Sequence, residues 1–427
     1  MEFKKYKIEE IGEVIGGGTP STKKSEYYGG NIPWITPKDL SNFKEVFISE
    51  GERNITEEGL KNSSARTLPS NTVLMTSRAP IGYLAIAKNE VTTNQGFKSI
   101  ICNESLVKPL FLYYSLKNDM DKIKSLGTGS TFSEISGKVV KNIEINLPSI
   151  EYQTIIEYIL GNFDKKIELN QKIIANLEEL SQTLFKRWFV DFEFPDENGN
   201  PYKSSGGEMV DSELGNIPRY WGIGNFGKLG KIIGGGTPSK KIKEYYSAEN
   251  DIPWITPKDL SKSKDIYIYH GEQDITNLGL NKSSAKLIDE NSVLFSSRAP
   301  IGYIAITGKK VTTNQGFKSI EVHENINPYF VFFLLKHMLP IIEQTAGGST
   351  FKEISSKGMK SISISLPSIN LIKEYGNLVK PYFEQIKILE MQNQNLTQLR
   401  DTLLPKLMSG EIEIPDDIEV NEDGLSI

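Results

Sequence analysis

Cysteine is almost absent: Cys102 is the only one in 427 residues. No intramolecular disulfide can form, and a reducing compartment is expected. Histidine is scarce as well, and His270, His323 and His337 with a single thiol cannot build a zinc site at any usual ligand spacing. No run approaches the ~18 consecutive apolar residues of a membrane span. The opening MEFKKYKIEEIGE has no apolar core of a secretory signal. A cytoplasmic protein with no membrane partner is expected. No glycine-rich fingerprint follows a strand and opens a helix, and no histidine or cysteine is placed as a nucleophile or base. Neither catalysis, nor a metal, nor a cofactor of its own is expected of this chain.

What is present is repetition. VTTNQGFKSI occurs at 91–100 and again at 311–320, IPWITPKDLS at 32–41 and 252–261, and SRAPIGY at 77–83 and 297–303. All three pairs share one offset, 311 − 91 = 220. The chain is one module written twice, and its function must need two copies. The net charge of −5 hides an uneven distribution. Lys plus Arg minus Asp plus Glu is 19 − 17 = +2 over 1–150 and 19 − 13 = +6 over 216–369. It is 1 − 7 = −6 over 191–215 and 0 − 7 = −7 over 411–427. Both repeated domains are mildly basic, while the acid sits in a linker and a tail.

Residues 1–150 form the first copy. Short β-branched and aromatic runs at 73–75, 83–87, 99–102 and 143–147 are punctuated by Gly, Pro and Asn. One helical stretch is expected at 109–125. The class is α+β and strand-rich. Over 151–190 the texture changes. Ile156, Leu160, Phe163, Ile167, Asn170, Ile174, Leu177, Ser181, Leu184 and Trp188 alternate spacings of four and three, a heptad seam with a polar Asn170 of the kind that fixes register. Gly161 is expected to break the helix, leaving a long segment from Phe163 to Trp188 that spans roughly 40 Å. An acidic linker (191–214) leads to the second copy (215–369) and a second seam within 370–410. That seam runs through Tyr382, Ile386, Leu389, Asn393, Leu396, Leu403 and Leu407, with Arg400 interrupting. Pro381 suits the first turn of that helix and Pro405 its end. The acidic tail 411–427 is expected to be disordered. Two exposed seams must pair with each other or with a partner.

The motifs admit two readings each. Gly16-Gly17-Gly18-Thr19-Pro20 and its copy at 234–238 lack the Gly-Lys-Ser/Thr ending of a nucleotide loop, which leaves a flexible loop or a DNA-backbone contact. Arg78 and Arg298 follow an apolar strand, from which an arginine can reach guanine O6 and N7 bidentately, or pair with a carboxylate of its own domain. Asn94, Gln95, Asn314 and Gln315 are amides of the type that read adenine, or else the Asn-Gln-Gly turn is satisfied by its own backbone. Lys38, Lys98, Lys258 and Lys318 can contact phosphates or be solvated lysines. Ser130, Thr131, Ser349 and Thr350, in glycine-rich loops, can donate to phosphate oxygens. Trp34 and Trp254 read as core. Asn327-Pro328-Tyr329 lacks the second proline of an amino-methyltransferase motif, and the first copy has Lys108-Pro109-Leu110 in its place. Pro195-Asp196 and Pro415-Asp416 lack the Glu-x-Lys of metal nucleases.

Three stretches carry a family resemblance: LFKRWFVDF at 184–192, LLPKLMSGEI at 403–412 and LGNIPRYW at 214–221. With the module layout, they resemble the specificity subunit of type I restriction–modification systems, over nearly the whole chain. The resemblance implies two similar target-recognition domains separated by two long helices packed as an antiparallel coiled coil. It implies partners too: double-stranded DNA read at a bipartite site, two modification (methyltransferase) subunits, and restriction/translocase subunits. S-adenosylmethionine, ATP and Mg would then belong to those partners. Ile174, Leu177, Leu184, Trp188, Leu389, Leu396 and Leu403 are the expected partner-binding helix positions. A non-catalytic tandem module for glycans or peptides and an autonomous DNA enzyme are the rivals; neither explains why the helices repeat along with the domains. Because the two copies are so alike, the half-sites are expected to be near-identical and inverted, as for two-fold dimeric repressors.

Overall fold

The β-branched runs of each copy pair into a small mixed sheet, because alternate residues of each strand can be buried while the backbone groups satisfy one another. The computed structural model describes residues 2–129, 133–247, 251–263, 265–348, 352–415, 418–421 and 424–426. It divides into one unit of Met1–Leu169 with Gln392–Ile427 and another of Asn170–Met391.

In the first unit a five-stranded sheet has the spatial order Gly12–Gly16, Lys98–Cys102, Val73–Ser77, Ile81–Ala87, Phe47–Ile48. Its pairs are antiparallel except the edge, where Phe47 lies parallel to Ile86. A three-stranded sheet beside it orders Arg53–Ile55, Tyr28–Ile35, Thr92–Thr93, the last pair again parallel. The second unit repeats the five-stranded order with Gly230–Gly234, Lys318–Val322, Val293–Ser297, Ile301–Thr307 and Tyr267–Ile268. Val73, Met75, Ile86 and Ile100 share one core with Phe111, Leu112, Tyr114 and Leu116 of the helix Pro109–Asn118. Each such fully buried large side chain stabilises by about 1.5–3 kcal/mol. The helix expected over 109–125 is divided at Asp119 into Pro109–Asn118 and Met120–Ser125.

The seams lie on two continuous helices, Ile150–Phe189 and Ile369–Ser409. Gly161 does not break the first. A Cβ there would stand 3.2 Å from Leu110 Cδ2, so the glycine is a point of close packing, and its helical cost of about 0.5–1 kcal/mol is tolerated. Pro381 and Pro405 do not bound the second helix but lie inside it. Both prolines are exposed, as are Asn377 and Asp401, whose carbonyls lose an amide partner, so water can take its place.

The helices pair antiparallel. In the first unit Tyr152 reaches the Ile414 carbonyl at 3.5 Å and Asp164 meets Arg400 at 2.5 Å; in the second, the Tyr375 hydroxyl donates to the Ser181 carbonyl at 3.1 Å. Arg400 therefore does not interrupt the seam. Its mostly buried guanidinium holds Asp164, which also accepts the Tyr114 hydroxyl at 2.5 Å. Adding the local offset of 403 − 184 = 219, the equivalents of Tyr114 and Asp164 are Phe333 and Phe383, whose rings lie 5.9 Å apart. One copy uses a charged triad where the other uses aromatic packing.

The connector after the first helix is packed rather than loose: Phe192 and Phe194 lie 5.3 and 5.7 Å from Trp221, and Phe194 stacks on Tyr202 at 4.6 Å. The start of the tail also differs from the expected disorder, since Ile414 is buried and Ile412 partly buried on the first unit's core.

Glu390 on the second long helix is only 2% exposed. Its carboxylate accepts the amides of Ile266 at 2.6 Å and Tyr267 at 3.1 Å, tying the helix to the edge strand Tyr267–Ile268. Burial, helped by the nearby Asp265 charge, pushes its pKa up to about 8 from 4.5. The folded chain thus binds a proton that the unfolded chain releases, so this contribution is complete below 4.5 and is lost as pH rises through about 8. Melting temperatures measured across that window should fall with pH in the native chain and be flatter in Glu390→Gln.

Candidate nucleic-acid interface

In each copy the repeated motifs meet at one place. The indole of Trp34 donates from Nε1 to the Gly18 carbonyl at 3.0 Å, and the Gly18 amide donates to the Thr93 carbonyl at 2.8 Å. Trp254, Gly236 and Thr313 do the same at 2.9 and 2.8 Å. The tryptophans are core, as expected, and they moor the glycine loop. The glycines are sterically required. A Cβ on Gly17 would fall 2.0 Å from the Asn94 carbonyl oxygen, and one on Gly18 2.2 Å from the Ala65 amide nitrogen. A Cβ on Gly235 or Gly236 would meet the corresponding Asn314 carbonyl oxygen at 2.0 Å or the Ala285 amide nitrogen at 2.3 Å. The triple glycine is thus a packing device between the turn at 94–96 and the loop at 63–65.

That turn decides the asparagines. Asn94 Oδ1 accepts the Gly96 amide at 2.8 Å, and Asn314 Oδ1 accepts that of Gly316 at 2.8 Å. Of the two readings given above, the structure shows the turn satisfied by its own backbone. Gln95 and Gln315 are exposed at the tip, each with Oε1 bonded to the hydroxyl of Thr19 or Thr237. Lys38 lies 2.6 Å from Glu52 and Lys258 3.0 Å from Glu272, all well exposed, which leaves them able to exchange partners.

Arg78 and Arg298 show the carboxylate pairing of the two readings. Each is paired, Nη1 standing 3.5 Å from Glu134 Oε2 and 3.3 Å from Glu353 Oε2, and each side chain remains 36% exposed. Lys318 shares Glu353 at 3.2 Å, while Lys98 contacts the Phe97 carbonyl at 3.5 Å. Ser130, Thr131, Ser349 and Thr350 lie outside the described residues. The backbone pairs that flank them, Thr128 with Glu134 and Gly347 with Glu353, are described.

The convergence exposes cations that carry no signal in the linear sequence. Lys23 and Lys24 follow the glycine loop, and Lys61 and Arg66 flank the loop packed against it. Their counterparts are Lys240, Lys241, Lys243, Lys282 and Lys286, and all nine are exposed. Only nonlocal pairing of Trp34 with Thr92 brings these segments together, so no local pattern announces them. Exposed cations on neighbouring segments of each copy suit a polyanion. Among the described residues no group of three or more His, Cys, Asp or Glu is placed to hold a metal. Burial pushes the Cys102 thiol up to about 12, which makes it a poor nucleophile.

The expected docking positions are interior. Trp188 and Leu389 are buried, Ile174, Leu177 and Leu184 pack partly buried on the second unit's core, Leu403 packs on the first unit's, and Leu396 is half-buried. They hold this chain together, because a seam that packs on its own helix partner and domain has little left to offer another protein. What the long helices do present outward is different. Leu169 is 52% exposed and Leu180 49%, and at the same positions of the second helix Ile388 is 59% and Leu399 51%.

A family model described as the type I restriction modification DNA specificity domain matches residues 1–179 and again 218–398. The chain is 38% identical over 414 residues to the type I restriction enzyme MjaIX specificity subunit of Methanocaldococcus jannaschii, covering 96% of this chain and 93% of that one. It is 29% identical over 371 residues to the HindI specificity subunit of Haemophilus influenzae, covering 74% and 80%. A crystal structure of the type I restriction–modification S subunit from M. genitalium has the same fold, with a TM-score of 0.60 at 16% identity, covering 95% of this chain and 96% of that one.

If these exposed cations bind phosphates, replacing Lys240, Lys241 and Lys286 with Ala should lower affinity for duplex DNA of any sequence. The slope of log K against log salt should become shallower by about 0.9 for each phosphate that is no longer neutralised. Titrations at several salt concentrations would show it, with the melting temperature unchanged.

Proposed function

The chain belongs to the type I restriction–modification DNA specificity family, and from that premise we propose how its two domains select a target. It is the specificity subunit, a non-catalytic reader with two recognition domains that assembles with DNA and with other subunits of the system. The alternative of a glycan- or peptide-binding tandem module finds no support in that family. Each domain is proposed to read one half of a split site, with the exposed cations holding the backbone and Arg78 or Arg298 reaching a guanine edge. The observation that carries the reading is the duplication of geometry: the same moored loop, tip glutamine and half-exposed arginine stand in both copies. Like faces choose like bases, so the two half-sites should share the arginine-read position and be near-identical in inverted orientation. A divergent pair, the exposed Ser49-Glu50 against the half-buried Tyr269 and exposed His270, leaves room for a difference elsewhere.

Two modification subunits are proposed to dock on the exposed apolar residues of the long helices, one on the unit that carries Leu169 and Leu399 and one on the unit that carries Leu180 and Ile388. Like residues at like positions of the two helices suit two copies of one partner. S-adenosylmethionine, ATP and Mg would be held by those partners and by a restriction/translocase subunit, in the cytoplasm. Among the described residues no helix is long and apolar enough to cross a membrane.

Mapping methylated adenines genome-wide, with and without this chain in the host, tests the target. One split motif with inverted, near-identical halves is expected, and unrelated or directly repeated halves would refute it. Leu180→Glu and Leu399→Glu should each remove one partner copy, and the pair both, as read by native mass spectrometry on chains whose melting is unchanged.

A further inference from the structure

The two reading arginines are held by carboxylates that the chain fixes through its backbone. The Glu134 amide donates to the Thr128 carbonyl at 3.0 Å, the Thr128 amide returns a bond at 3.1 Å, and Ile135 donates to the Ser77 carbonyl at 2.9 Å. Glu134 is thereby pinned beside Arg78. The second copy repeats this with Glu353 and Gly347 at 2.9 and 3.2 Å, and with Ile354 and Ser297 at 3.1 Å. Glu134 and Glu353 occur within GSTFSEIS and GSTFKEIS, so the carboxylate is repeated while the residue before it changes from Ser133 to Lys352.

The contact itself is one-pronged. Only Nη1 of each arginine reaches the carboxylate, at 3.5 and 3.3 Å, and Glu134 and Glu353 are 41% and 37% exposed. A pair of this kind adds little to stability, so a two-pronged base contact can replace it. It nevertheless occupies the end of the guanidinium that an end-on, two-pronged contact to guanine would use. In the second copy Lys318 lies 3.2 Å from the same carboxylate and 3.4 Å from the Ser297 hydroxyl, so Glu353 faces two cations. An acid at this place carries the charge that a phosphate would bring.

We propose that Glu134 and Glu353 are counter-ion gates: each holds its arginine away from DNA phosphates, so that the guanidinium is released to a guanine edge and not to backbone of any sequence. The proposal rests on the DNA-reading function given above and adds two specificity-determining residues to it. In a complex with the wrong sequence the arginine stays on its carboxylate and contributes no phosphate contact. At the right sequence the two-pronged base contact replaces the one-pronged ion pair. The gate thus lowers non-specific affinity more than specific affinity.

The test is the full-length chain, native and as Glu134→Gln/Glu353→Gln, titrated against a 40-base-pair duplex of random sequence and one carrying the mapped motif. Expected is a several-fold gain on the random duplex. Its salt slope should steepen by about 0.9 per released arginine, and the ratio of specific to non-specific affinity should fall. Glu134→Asp/Glu353→Asp, which withdraws the charge from Nη1 but keeps it, should shift binding the same way and guards against a folding defect in the glutamine variant. An unchanged random-duplex affinity, or a loss confined to the motif duplex, would overturn the gate, the second result making the carboxylates supports of the arginines instead. Failure of the native chain to bind either duplex would overturn the reading function itself, and the gate with it.

Discussion

A forty-residue helix with an apolar seam cannot remain single in water, and the rest of the molecule follows from how that requirement is met. Each long helix buries its seam against part of the other helix and against a recognition domain, so neither helix nor domain completes its core alone. Phe185, Trp188 and Phe189 from the first helix and Tyr375 and Phe383 from the second are part of the same core as Phe330 and Phe333 of the second domain. Leu404, Leu407 and Met408 do the corresponding service for the first. Within each unit the paired helix segments are thereby part of the core on which its sheet is built.

The conspicuous identity of the repeats has a mostly structural origin. Of VTTNQGFKSI, residues Val91, Thr92, Thr93, Phe97, Ser99 and Ile100 are buried. Asn94 closes the turn and Gly96 lies against Pro37. What reaches solvent there is little more than Gln95 and the neighbouring arginine. A scaffold under such steric demand keeps its letters, while the loops it presents are free to diverge.

Duplication, strand-rich domains and long helices were legible in the sequence because each is written locally, in spacing or in verbatim repeats. The limits came where three-dimensional context overrides a local rule. Gly161 and Pro381 look like breaks in a linear pattern but are absorbed where a neighbour packs closely or water can reach the backbone. The heptad positions were visible, yet spacing cannot say whether a seam faces its own partner helix or another protein. Leu169 and Leu180 stand among polar residues and show no pattern until the helix has a known inside. The exposed cations of each copy were hidden for a related reason: Lys23 and Arg66 are 66 − 23 = 43 residues apart in the chain, and only sheet pairing and glycine packing gather their segments.

The charged triad of Tyr114, Asp164 and Arg400, matched in the second copy by the aromatic packing of Phe333 and Phe383, bears on how such a gene can be rearranged. Exchange within a stretch shared by the two copies would yield a truncated product with one domain and the second helix. Two such products could try to pair with each other. By the offset of 219, position 164 maps to 383, so Arg400 would then face Phe383 of another molecule. Arg400 would keep Asp401 of its own helix at 2.8 Å but lose its partner across the helix pair, and a largely buried charge left half-paired is destabilising. The two halves are therefore not interchangeable parts, and a recombinant of half length is penalised at assembly while the full-length arrangement persists.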